Sequence, residues 1–135
     1  MTVECPYCGK DAQLTNSAEV YGRSYGMIWI CRPCKAWVGT HDGSTQPLGR
    51  LADAELRTWK RRAHAWFDNL WKAKIRRDHC GKTIARSAGY AWLAKQLGLD
   101  VNDCHIGMFD IDMCKRSIEA CKPYYPGATR KVGND

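Results

Sequence analysis

Apolar and polar positions change rhythm near residue 50 of this chain. Before it, short apolar runs are separated by turn residues. Ala12 to Tyr21 is predicted as a strand and Gly22-Arg23-Ser24-Tyr25-Gly26 as a turn. Met27-Ile28-Trp29-Ile30 is predicted as a second strand and Ala36-Trp37-Val38-Gly39-Thr40 as a third. His41 to Gly49 is rich in turn residues. After it, Leu56, Trp59, Ala63, Trp66, Phe67, Leu70 and Trp71 recur at steps of three and four, which is one face of a long helix with Asp53 as its N-cap. Gly81 interrupts that pattern. A second helix is expected from about Thr83 to Leu97, with Ile84, Ala88, Ala91 and Trp92 as its apolar face and Gly98 as its stop. A third, capped by Asp110 or Asp112, carries Ile111, Cys114, Ile118 and Cys121 and ends at Pro123.

These elements predict an α+β protein: an N-terminal module of three strands, then a small bundle of about three α-helices. The expected organisation is a four-cysteine module over residues 1–41, a linker loop over 42–52, a helical domain over 53–123 and an irregular tail over 124–135.

Cys5-x-x-Cys8 and Cys31-x-x-Cys34 flank the predicted hairpin, which makes the three-stranded N-terminal module an expected zinc ribbon. A two-residue gap lets both sulfurs of a pair reach one ion, and the 22 residues between the pairs suffice for a hairpin that joins the two turns. One structural Zn²⁺ is therefore expected. Four thiolates leave no open coordination position, which points to a structural role. The alternative use of such cysteines, a redox dithiol, normally comes as one pair in a thioredoxin-like setting. Cys114 and Cys121 lie on an apolar stripe and read as core. His79-Cys80 and Cys104-His105 are the residues from which a second metal site would have to come.

Charge adds a partner. The 135 residues carry a formal net charge of +7, and residues 49–77 hold nine Lys or Arg against three Asp or Glu. So concentrated a positive field attracts polyanions. The helix face bearing Arg57, Lys60, Arg61 and Lys72, continued by Lys74, Arg76 and Arg77, matches the needs of a phosphate backbone. Arg23 and Tyr25 at the hairpin tip match those of a base and its phosphate. Nucleic acid, DNA or RNA, is the expected partner. A host protein bound by a zinc-finger adaptor or inhibitor is the alternative. No small-molecule cofactor is expected. Catalysis would have to draw on His64 and Asp68, four apart on the polar helix face, with His41, Asp42 and His79. No nuclease signature, phosphate loop or nucleophile elbow accompanies them. The run Trp92 to Gly98 looks like the first helix of a helix-turn-helix, but the next helix begins too far along. The first residues lack a basic-then-apolar layout and no apolar run reaches membrane length, so a cytoplasmic protein is expected.

Several segments together resemble a bacterial and phage family of zinc-finger-containing proteins. They are Cys5-Pro6-Tyr7-Cys8-Gly9, the run Ala18 to Gly26, Cys31-Arg32-Pro33-Cys34, Pro47 to Ala52, Arg61 to Asp68, and Cys104 to Asp110. The resemblance spans about residues 5–121. It implies a zinc-bound finger, a helical remainder and a phage or prophage setting, with Cys5, Cys8, Cys31 and Cys34 as the zinc ligands. It carries over no catalytic residue.

Overall fold

Strand β1 (Gln13–Asn16) pairs antiparallel with β2 (Met27–Cys31), which pairs antiparallel with β3 (Ala36–Gly39). The computed structural model describes residues 1–124, so the expected irregular tail, apart from Tyr124, lies outside the described residues. The register sets Leu14 opposite Trp29 and Trp29 opposite Val38. Alternation then puts Trp29, Cys31, Ala36 and Val38 on one face, where they pack with Cys5, Ala12 and Leu51.

The expected first strand stops at Asn16. Asn16 Oδ1 accepts from Ala18 N at 2.8 Å, and the Ser17 carbonyl accepts from Val20 N and Tyr21 N. That local bonding turns Ala18–Tyr21 into a short helix, α1, closed by Gly22 at φ 78°. Buried Ser17 fixes the hairpin tip by accepting from Tyr25 N at 2.7 Å.

Residues 42–52, expected to be linker, extend the sheet at two points. Thr40 bridges to Pro47 and Trp37 to Ala52, and Leu51 and Ala52 are buried. The chain forms two compact units, Met1–Arg57 and the residues from Thr58 onward.

Helix α2 (Ala54–Asp78) starts where expected. Asp53 Oδ1 accepts from Leu56 N at 2.9 Å. The second unit is built on its later turns, on α3 (Lys82–Leu97) and on α4 (Ile111–Cys121). Phe67 of α2 lies with its ring centroid 4.4 Å from that of Tyr90 on α3. The buried row of α3 is Ala85, Leu93, Ala94 and Leu97, one position round the helix from the expected face, while Ile84 is exposed. Gly89 explains the rotation: a Cβ there would stand 3.1 Å from Phe67 Cε1 and Cζ, so this position is where α3 meets the phenyl ring. In α4, Cys114, Ile118 and Cys121 are buried as expected, and Asp110 is the cap, accepting from Met113 N. Arg116 of α4 donates to the carbonyl of Leu97 at 3.0 Å and satisfies the C-terminal end of α3. Among the described residues no helix is long and apolar enough to cross a membrane.

Candidate metal centre and basic surfaces

Each Cys-x-x-Cys turn is a short loop whose backbone folds back under its sulfurs. In the first, Gly9 N donates to Cys5 O and Cys5 N to Lys10 O, both at 2.8 Å. In the second, Lys35 N donates to Arg32 O at 3.1 Å. The residue after the second cysteine is left-handed in both turns, Gly9 at φ 77° and Lys35 at φ 53°. Glycine accepts that conformation freely, whereas a side chain costs about 1–2 kcal/mol. Lys35→Gly is therefore expected to stabilise the zinc-loaded protein by about 1 kcal/mol, and Gly9→Ala to destabilise it by a similar amount. Denaturant titration of both variants checks this pair of opposite signs.

The four sulfurs lie within 4.8 Å of one another, with Cys8 Sγ and Cys31 Sγ 3.7 Å apart. A zinc ion with Zn–S bonds of 2.3 Å requires tetrahedral edges of about 3.8 Å, which the Cys8–Cys31 pair already matches and the widest pair reaches by closing about 1 Å or less. Cys5 and Cys31 are buried, Cys34 is half-buried and Cys8 is exposed. The chemistry of the donors agrees. The Cys34 thiol is pushed up to about 12, first by its bond to the Cys31 sulfur and then by desolvation. The Lys10 backbone N–H, above all, pulls Cys8 down. Sulfurs this close cannot all ionise unless a cation takes up the charge.

A three-stranded antiparallel sheet whose two Cys-x-x-Cys turns close a sulfur tetrahedron is a zinc ribbon. The chain belongs to the zinc-finger-containing domain family DUF3268, whose model matches residues 1–124 and so takes in the helices as well. No curated protein and no solved structure matches the chain. Among the described residues the four cysteines are the one group of three or more ligand-type side chains placed to share a metal. His79, Cys80, Cys104 and His105 do not form a second.

The basic residues singled out in the sequence divide into two sets. Arg57 lies 4.1 Å above the Trp37 ring and donates to the Trp37 carbonyl, so it clamps the ribbon. Lys60 Nζ donates to Gly107 O at 2.6 Å. Lys74 and Arg77 both pair with Asp78, whose carboxyl they hold well below the usual range. Arg61, Lys72 and Arg76 remain exposed on the side of α2 opposite Leu56, Ala63 and Phe67. Arg62, which the sequence reading did not single out, joins them, and its guanidinium lies 4.9 Å from the Trp59 ring. Among the described residues none of these four forms a salt bridge.

At the hairpin tip the Arg23 guanidinium lies 5.4 Å from the exposed Tyr25 ring. Tyr25 meets Tyr21 edge-on at 5.8 Å, and Tyr21 meets Trp37 edge-on at 6.2 Å. Tyr21 and Trp37 were not legible as surface residues, because both sit in segments read as strands.

The sequence pairs His64 with Asp68, but Asp68 Oδ1 instead accepts from Trp71 Nε1 at 2.8 Å. His41 and Asp42 belong to the first unit, and His64 and Asp68 to the second. Burial lowers the His64 pKa below its ordinary value, and the charges of Arg86 and Lys60 add to this against that of Asp68. The unfolded chain therefore binds more protons than the folded one around pH 6, so stability rises with pH there and falls as pH drops through about 6.5. His64→Gln is expected to reduce the fall in melting temperature between about pH 7 and pH 5. An unchanged pH profile would remove His64 from the acid response.

Proposed function

We propose that this protein binds nucleic acid without reading its sequence, using the outer face of α2 and the ribbon's hairpin tip. One observation carries the reading. Arg61, Arg62, Lys72 and Arg76 lie along one side of α2, exposed and without a carboxylate partner among the described residues. At 1.5 Å per residue they cover about 22 Å. That length faces about six phosphates of one strand at 3.4 Å each. Unpaired cations arranged in a row repel one another, and a polyanion relieves that repulsion while releasing its counterions. The tip supports the same reading, because a tyrosine beside an arginine stacks on a base and touches its phosphate.

The test is a titration of zinc-loaded protein against labelled single- and double-stranded DNA and RNA at low and physiological salt. Binding that weakens steeply with salt is expected, and Arg61→Ala, Lys72→Ala and Arg76→Ala together should weaken it at least tenfold at low salt. No binding at low salt would sink the proposal.

A protein partner is the second reading, favoured by the exposed Tyr21 and Tyr25. Aromatic and arginine side chains dominate protein interfaces. Such binding would depend little on salt and would fall on Tyr25→Ala.

A further inference from the structure

A recess of about 630 Å³ lies between α3 and the turns that follow it. Lys82, Arg86 and Tyr90 line it at four-residue steps along α3, with Thr83 and Ser87 beside them and His105 opposite. No carboxylate lines it. Its two strong cations lie beside aromatic rings and not beside acids. Lys82 Nζ lies 5.7 Å and Arg86 Cζ 6.0 Å from the ring of the buried Trp71. Arg86 also lies 5.8 Å from the Tyr90 ring. Lys72 is a third cation on Trp71, at 5.7 Å. The nearby carboxylate of Asp68 accepts from the Trp71 indole, and among the described residues neither Lys82 nor Arg86 has a salt bridge.

Like charges meet at one indole, and Lys82 in the first turn of α3 opposes the helix dipole. An anion in the recess would reverse both terms. The donors available there are a guanidinium, an ammonium, two hydroxyls and an imidazole, a set that suits a phosphate group.

We propose that the recess binds a phosphomonoester, with Arg86 and Lys82 holding the phosphate and Thr83 and Ser87 donating to its oxygens. The phosphate could come from a free nucleotide or from the end of a nucleic-acid strand. Calorimetric titration of the zinc-loaded protein with inorganic phosphate, adenosine 5′-monophosphate and adenosine distinguishes phosphate recognition from ring stacking. Phosphate and the monophosphate are expected to bind and adenosine to bind at least tenfold more weakly. A 5′-phosphorylated strand that outcompetes its 5′-hydroxyl counterpart assigns the site to strand ends. Equal binding of the two strands, with the monophosphate bound, assigns it to free nucleotides.

Lys82→Ala with Arg86→Ala is expected to lower phosphate affinity at least tenfold, while Lys95→Ala, elsewhere on α3, leaves it unchanged. Alanine is the better helix former and removes cations from the start of α3, so a loss of binding would not come from a loss of fold. A melting temperature measured on each variant verifies this. The proposal is overturned if neither phosphate nor the monophosphate binds at millimolar concentration in low salt, or if the double variant binds as the parent does.

Discussion

Cys5→Ser is expected to leave the ribbon without a stable sheet. The reason is the composition of its core. Of the seven buried residues that cluster there, two are metal ligands, Cys5 and Cys31, and two are alanines, Ala12 and Ala36. Only Trp29, Val38 and Leu51 bring large apolar side chains to it, and Ile28 and Ile30 of β2 are buried besides, each worth about 1.5–3 kcal/mol when buried. Structural zinc contributes on the order of 10–16 kcal/mol in finger peptides, about as much as those five side chains together. Losing one of four thiolates, or removing the ion with a chelator, therefore removes a large share of the stabilisation. Amide exchange over Met27–Cys31 and Ala36–Gly39 reads the effect directly. Protection there is expected to collapse in the variant and in the chelated parent. Protection that survives both treatments would mean that the sheet stands without its metal. The same chemistry gives a direction with pH. Zinc competes with protons for four thiols, so affinity falls as pH is lowered.

Phe67→Ala is expected to cost about 3–5 kcal/mol in the second unit, a large share of the 5–15 kcal/mol that holds a typical domain. Phe67 is 1% exposed and packs on Tyr90. Its ring also fills the space above Gly89, where no side chain can swing in to close the cavity. Because the chain has two compact units, a single unfolding midpoint is a poor measure. Exchange protection over Ala85–Leu97 is the better one, and it should fall by roughly two to three orders of magnitude, 1.4 kcal/mol being a factor of ten. A loss below tenfold would show that α3 is not held by this contact.

Much of this was legible in the sequence, and the reasons differ by element. The zinc cage was legible because one ion imposes short, repeated spacing on its ligands. Helix α2 was legible because its buried positions are large and apolar and its cap is an aspartate. The face of α3 was not, because its contact point is Gly89, and a missing side chain gives no hydrophobic signal. Helix α1 was hidden for a related reason: Ser17 and Asn16 act through backbone hydrogen bonds, which strand patterning does not register. The basic face was legible as a concentration of charge but not residue by residue. A helix wheel does not reveal that Trp37 and Gly107 supply carbonyls to Arg57 and Lys60, or that Asp78 engages Lys74 and Arg77.

That division identifies the most direct measurement. The logarithm of the affinity for a short DNA duplex is followed against the logarithm of salt concentration, for the parent and for the variant with Arg61, Lys72 and Arg76 all replaced by alanine. Five phosphate contacts, four on α2 and Arg23 at the tip, predict a slope of about −4.5 for the parent, and losing three of them predicts about −1.8 for the variant. The same slope for both proteins would place the phosphate contacts elsewhere and contradict the account.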